Sequence, residues 1–211
     1  MVSVARVDQA LTGSRQPPAD PLDVKPPLPI DQLPAAWQAR HRQGLRAAAV
    51  LVALLGDLEA PDVLLTERAH HLEHHPGQIS FPGGRVEMYD DSLAATAMRE
   101  ASEEVGLDAS NARVLGYLPT QWTVSGYAMT PVVAHIPASG DAWRWELDPG
   151  EVASAFVVPS AFLFDPGNHK VGTREIEGKR YANVEIDWEG QTIWGVTARV
   201  IALISKAISD K

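Results

Sequence analysis

Apolar and polar positions alternate along this chain in blocks that switch period several times. "LRAAAVLVALL", from Leu45, is apolar almost throughout and partly β-branched, as a strand buried on both faces would be. "DVLLTER" follows after "GDLEAP" and reads as a second strand. Between residues 90 and 106 the period becomes helical: Ala94, Ala97, Met98, Ala101 and Val105 fall at i, i+3, i+4, i+7 and i+11. Asp90 or Asp91 suits the N-cap of that helix, and Gly106 suits the residue that ends it. "RVLGYLPT" and "MTPVVAHI" return to strand patterns, and "AFVVPSAFLF" reads as a strand turning into a short helix. "RYANVEIDWEGQTIWG" predicts a hairpin with "EG" at its turn, and "VTARVIALISKAIS" predicts a closing helix. Strands, a central helix, more strands and a terminal helix predict an α/β (α+β) fold, a mixed sheet with helices on its faces.

Upstream of Gly44 the pattern breaks down. Seven of the sixteen prolines lie within the first 34 residues, so "RQPPADPLDVKPPLPIDQLP" cannot be one regular element. "DQLPAAWQARHR" can hold a short helix, with Pro34 near its start. The expected organisation is a Pro-rich arm over 1–43 and one compact domain over 44–211.

Composition narrows the function. The 211 residues include no cysteine, which excludes disulfides and thiolate metal sites. A net charge of −9 without a Lys/Arg cluster argues against nucleic acid as a partner. The longest apolar run is too short to span a bilayer, and the N-terminus lacks the apolar core of a signal peptide. A cytoplasmic protein without a membrane partner is expected; a homodimer is left open.

The anomaly is "FPGGRVEMYDDSLAATAMREASEEVGL", which carries six carboxylates: Glu87, Asp90, Asp91, Glu100, Glu103 and Glu104. The last three crowd a helix C-terminus, where each acid is unfavourable by roughly 0.3–1 kcal/mol. Glu100 and Glu104, at i,i+4, repel by about 0.2–0.5 kcal/mol more. A solvated acidic face is the plain reading of such a run. The position at the wrong helix end, beside a "PGG" turn that exposes backbone, favours another: carboxylate oxygens converging on a hard divalent cation that holds phosphate.

These residues resemble the Nudix hydrolases, whose motif is Gly-x5-Glu-x7-Arg-Glu-U-x-Glu-Glu-x-Gly-U, with U a bulky aliphatic residue. Gly84, Arg99, Glu100, Glu103, Glu104, Gly106 and Leu107 match. Ala101 is smaller than the pattern asks, and one extra residue separates Gly84 from Arg99, so the first acid falls at Asp90 or Asp91. Upstream, "LLTERAHHLEHHPGQISFPGG" resembles the signature of the coenzyme A diphosphatase branch, except that Glu73 stands where the signature has arginine. The resemblance covers roughly residues 45 to 205 and implies a Nudix α/β/α sandwich.

It further implies hydrolysis of a nucleoside diphosphate-linked small molecule, coenzyme A or an acyl derivative first. ADP-ribose or a dinucleotide is an alternative, as is a catalytically inactive nucleotide sensor. Mg²⁺ or Mn²⁺ would be held by Glu100, Glu104, Glu103 and the Gly84 carbonyl. Arg99 would orient Glu103. Arg68, Gly83 and Gly84 would contact substrate. The general base would be a helix glutamate or Glu151 in "DPGEVASAF", whose plain reading is an exposed loop acid. His70, His71, His74 and His75 could form two i,i+4 zinc pairs only on a helix, which Pro76 and Gly77 would end at once. Trp122 can stack on a base or simply belong to the core or its rim.

Overall fold

The computed structural model describes residues 2–26, 29–42, 44–137 and 144–210. Its elements are α1 (Val4–Ala10), α2 (Ala35–Arg42), β1 (Arg46–Leu55), β2 (Asp62–Arg68), β3 (Ile79–Ser80), β4 (Gly83–Arg85), α3 (Leu93–Val105), β5 (Arg113–Tyr117), β6 (Gln121–Trp122), β7 (Tyr127–Ile136), β8 (Val152–Pro159), α4 (Ser160–Leu163), β9 (Lys170–Ile176), β10 (Lys179–Trp188), β11 (Gln191–Trp194) and α5 (Gly195–Ser209). The main sheet runs β3-β2-β1-β7-β5, with β4 on β1, β6 on β7 and β8 on β2. It is mixed: β1 and β7 are parallel over ten residue pairs, and the other pairings are antiparallel.

β1 shows why its sequence is apolar throughout. Alternate residues of a strand face opposite sides of a sheet. Ala49, Leu51, Ala53 and Leu55 join the cluster under α3. Ala48, Val50, Val52 and Leu54 join the opposite cluster, with α1 and α5. Both faces are covered, so neither set can be polar. The result is the expected α/β/α sandwich with a mixed central sheet.

The predicted hairpin is β10–β11, whose turn residues Glu189 and Gly190 have φ of 47° and 84°. Two successive positive φ values match the right-handed twist of a hairpin. Strand β9 lies outside the predicted elements. The same dipeptide, Glu177-Gly178, joins it to β10 with φ of 49° and 74°, a signal present in the sequence but not read.

Residues 2–14, within the expected Pro-rich arm, pack onto the domain. Val4 and Val7 are fully buried and Leu11 nearly so, in the core shared with α5. A β-carbon on Gly116 of β5 would come within 2.9 Å of the Ser14 carbonyl oxygen, so that strand is glycine where the N-terminal segment crosses it. Pro-rich residues 15–26 and 29–34 contain no α-helix or strand, as expected, and α2 begins directly after Pro34.

Val7→Ala removes two fully buried methyl groups and leaves a gap beneath α5. The expected loss is roughly 1.5–3 kcal/mol of unfolding free energy, measured in urea. A change under ~0.5 kcal/mol would mean that α1 is not part of the cooperative core.

Candidate active site

Helix α3 starts at Ser92, not at an aspartate. The Ser92 side chain accepts the Ala95 N–H at 3.1 Å and so caps the first turn. The expectation that Asp90 or Asp91 does this is wrong because Asp90 has a stronger partner. At the other end Gly106 adopts φ 68°, and its N–H and that of Leu107 return to the Ser102 and Ala101 carbonyls. That left-handed position closes the helix as expected.

Arg99 is the hub of the site. Its Nε and one Nη donate to the two carboxylate oxygens of Asp90 at 2.9 and 3.0 Å. Its other Nη donates to Glu100 Oε1 and Glu103 Oε2, both at 2.9 Å. The Arg85 carbonyl takes a further bond at 3.1 Å. Arg99 therefore donates to Glu103 and to two more acids besides. Asp90 also accepts the Thr96 hydroxyl and the Glu87 N–H, each at 2.9 Å. Its side chain is only 3% exposed, while Asp91 lies in the open. The Arg99 hydrogen bonds hold the Asp90 carboxyl well below the usual carboxylate range, and the guanidinium is held correspondingly high. Sequence spacing alone did not show that Asp90 reaches Arg99 across the first two turns of the helix.

The glycine turn lies against this acid cluster. β4 pairs with β1, placing Gly83 opposite Val50 and Gly84 opposite Ala49. A β-carbon on Gly83 would fall 2.4 Å from the Ala49 carbonyl oxygen; one on Gly84 would fall 2.5 Å from the Glu100 carboxylate. Only glycine lets backbone approach that closely. Glu104 faces the Gly83 backbone N–H and is 5% exposed. Burial, then the charges of Glu151 and Glu100, push the Glu104 carboxyl up to about 8. Burial also raises Glu100, against the pull of Arg99.

Glu151 reaches the cluster through the loop after residue 143. Asp148 N–H donates to the Glu104 carbonyl at 2.9 Å, and Glu146 N–H to the Val105 carbonyl at 3.0 Å. These bonds satisfy helix-end carbonyls that otherwise lack partners. The Asp148 side chain accepts the Gly150 N–H at 2.7 Å, turning the chain back. The Glu151 carbonyl then accepts Ala69 N–H at 2.8 Å, beside a β-bulge between Glu67 and Arg68. Glu151 is exposed yet bears electrostatically on both Glu100 and Glu104. The cluster thus draws on α3, β4 and the loop before β8.

Arg68 ends β2 on the same side and acts on Glu104, and among the described residues it has no ion-pair partner. The histidines lie in turns, not a helix, so the two i,i+4 pairs do not form. His70 pairs with Glu67 at 3.2 Å, and His75 has φ 57°. Among the described residues, no three His, Asp or Glu side chains stand ready-made around a metal position. Glu73 is an exposed loop acid. Trp122 is 5% exposed and packs on Trp37 at a ring distance of 5.9 Å, so it belongs to the core rather than to an open stacking face.

With this geometry in place, the chain was compared with known proteins. The NUDIX domain model matches residues 45–175. A protein of Pectobacterium atrosepticum named "Uncharacterized Nudix hydrolase NudL" is 38% identical over 181 residues, 85% of this chain and 91% of that protein. A Yersinia pestis protein of the same name is 39% identical over 165 residues, 78% of this chain and 80% of its own length. A crystal structure of a MutT/nudix family protein from Enterococcus faecalis superposes with a TM-score of 0.48 at 15% identity. It covers 86% of this chain and 72% of that one.

Asp90→Asn should cost roughly 1.5–3 kcal/mol, the scale of losing charged hydrogen bonds while Glu100 and Glu103 still pair Arg99. Chemical denaturation measures it, and a loss below ~1 kcal/mol would refute the hub. Glu104 predicts a pH dependence of opposite sense to that of Asp90. In chelator the folded protein holds a proton up to about pH 8 that the unfolded chain releases near pH 4.5. Stability from this group is complete below the lower value and is lost progressively as pH rises through the upper one. Melting temperatures in EDTA should fall across that window, and Glu104→Gln should flatten the fall. An unchanged slope in the mutant would place the titration elsewhere.

Proposed function

This chain belongs to the Nudix hydrolases, and we propose that it hydrolyses coenzyme A or an acyl-coenzyme A to 3′,5′-ADP and (acyl-)4′-phosphopantetheine. The observation that carries the reading is Arg68, which among the described residues has no ion-pair partner, bearing on Glu104 where that acid crowds with Glu100 and Glu151. Like charges packed against a helix C-terminus destabilise the protein until a cation joins them. The stretch from Leu64 to Gly84 supports the coenzyme A branch by its resemblance. The exposed Glu73 favours the second reading, ADP-ribose or a dinucleotide, because an acid there offers a phosphate no donor.

The donor set suits a hard cation. Carboxylate and carbonyl oxygens without any thiolate are Mg²⁺ or Mn²⁺ chemistry. Glu100, Glu104, Glu103 and the Gly84 carbonyl would hold it, and Glu104 gains most, since a cation offsets the burial that keeps it protonated. When bound, divalent metal neutralises the diphosphate and stabilises the leaving oxygen.

The chain's own residues do the rest. Arg68 orients the diphosphate by donating to its oxygens. Glu151, exposed to solvent and facing the cluster, takes the proton of the attacking water. Water oxygen bonds to phosphorus as the anhydride P–O bond breaks, and the bond's electrons leave with the second phosphate. Arg99 keeps Glu100 and Glu103 aimed and does not touch substrate.

Glu100→Gln and Glu104→Gln should each lower kcat/KM at least about a hundredfold while the protein stays folded. The assay is a nucleotide panel with alkaline phosphatase coupled in, with and without Mg²⁺. Wild-type turnover by either mutant in limiting Mg²⁺ would overturn the ligand assignment. Binding without turnover of any compound would favour a sensor.

A further inference from the structure

The turn that leads into α3 breaks local rules. The Asp90 N–H donates to the Glu87 carbonyl at 3.0 Å, and the Asp90 side chain accepts the Glu87 N–H at 2.9 Å, so residues 87–90 are closed from both ends. The two central residues are Met88 and Tyr89, where glycine, asparagine, aspartate or serine is usual. Both are exposed, Met88 by 99% and Tyr89 by 67%. The stretch from Gly84 to Arg99 is also where this chain carries one residue more than the family pattern. A large ring in a solvated turn gains nothing locally, so its reason lies in a contact beyond the turn.

Tyr89 has such a contact. Its ring lies over the Arg99 guanidinium, with Cζ 5.5 Å from the ring centroid. A guanidinium carries five N–H groups, all in its plane. Those of Arg99 make five hydrogen bonds, to both Asp90 oxygens, Glu100, Glu103 and the Arg85 carbonyl. The plane is full, and a further partner has to approach across a face. The Arg99 side chain is still 19% exposed, so water reaches it. A fourth acid on that face would draw the cation away from the three it holds. An aromatic ring attracts it through its quadrupole and brings no competing charge.

The hold on Arg99 matters because one nitrogen serves two acids. The same Nη donates to Glu100 Oε1 and Glu103 Oε2, both at 2.9 Å. A tilt of the guanidinium plane lengthens both bonds together and lets both carboxylates turn. Glu100 has little room for that, since a β-carbon on Gly84 would stand 2.5 Å from its carboxylate. Glu103 is freer: its side chain is 58% exposed.

We propose that Tyr89 is a positioning residue for the carboxylate cluster: its ring covers a face of the Arg99 guanidinium and so keeps Glu100 and Glu103 aimed at a divalent cation. The inference rests on the reading of those glutamates as metal ligands and extends it to a residue outside the helix. Tyr89 acts through Arg99, and its ring, not its hydroxyl, does so.

The test needs no turnover and uses the full chain with Tyr89→Phe, Tyr89→Leu and Met88→Ala. In EDTA, NMR of ¹⁵N-arginine-labelled protein follows the Arg99 Nε–H, assigned by its loss in Arg99→Lys. Tyr89→Leu should remove its ring-current shift and speed its exchange with water about two- to fivefold, the scale of one exposed cation–π contact. Tyr89→Phe should leave both unchanged. With the chelator removed, Mn²⁺ binding is titrated by electron paramagnetic resonance. Tyr89→Leu should bind about two- to fivefold more weakly than the wild type, while Tyr89→Phe and Met88→Ala should match it. An unchanged Mn²⁺ affinity in Tyr89→Leu overturns the proposal, even if that variant melts earlier. So does an equal loss in Met88→Ala, which would assign the effect to the turn, or in Tyr89→Phe, which would assign it to the hydroxyl. A wild type that shows the Tyr89-dependent Arg99 signal but binds no Mn²⁺ would instead sink the metal reading of the glutamates, and leave Tyr89 as the cover of Arg99.

Discussion

The Asp90–Arg99 pair sets the distance on which the site depends. A buried carboxylate cannot remain charged without a partner that replaces water, and the Arg99 fork supplies two parallel bonds to it. The same guanidinium reaches the Arg85 carbonyl at 3.1 Å, so it ties the segment before α3 to the middle of the helix. Once that span is closed, Gly84 has no freedom to move away from Glu100. One guanidinium therefore bonds to three acids and also ties the segment after the glycine turn to them.

Close approach of α3 to the sheet is the second condition. Ala97 and Ala101 are fully buried against β1, and larger side chains there would lift the helix and its glutamates off the turn. Ala101, smaller than the family pattern asks, fits this contact. The glycines at 83 and 84 answer the same demand from the strand side. The carboxyl groups are thus held by packing and by Arg99, not by attraction among themselves, and burial raises Glu104 and Glu100 in the folded protein.

The acidic cluster is paired in space with its opposite. Arg68, at the end of β2, bears on Glu104 of the acidic group built on α3. A protein with a net charge of −9 has little general attraction for phosphate, so a local cationic group is needed to seat an anion. The N-terminal segment contributes to this arrangement twice. Its first helix completes the core, and its second seats Trp37 against Trp122.

Much of this was legible in the chain itself. Apolar runs and their periods predicted β1, β2, β7, β8, the β10–β11 hairpin, α3 and α5, because burial on one face or two imposes period directly. The clustered acids of α3 were conspicuous because they contradict the helix dipole. What could not be read were relations between distant residues. Ser92 displaces Asp90 as the cap only because Arg99 claims Asp90 from nine residues away. Glu151 reaches Glu104 only because the loop's N–H groups complete the helix carbonyls. Val4 and Val7 were read as part of the Pro-rich arm because two valines in a short segment have no period strong enough to announce burial. In each case local preference was weak or divided, and the energy that decided it came from contacts that exist only after the chain has folded.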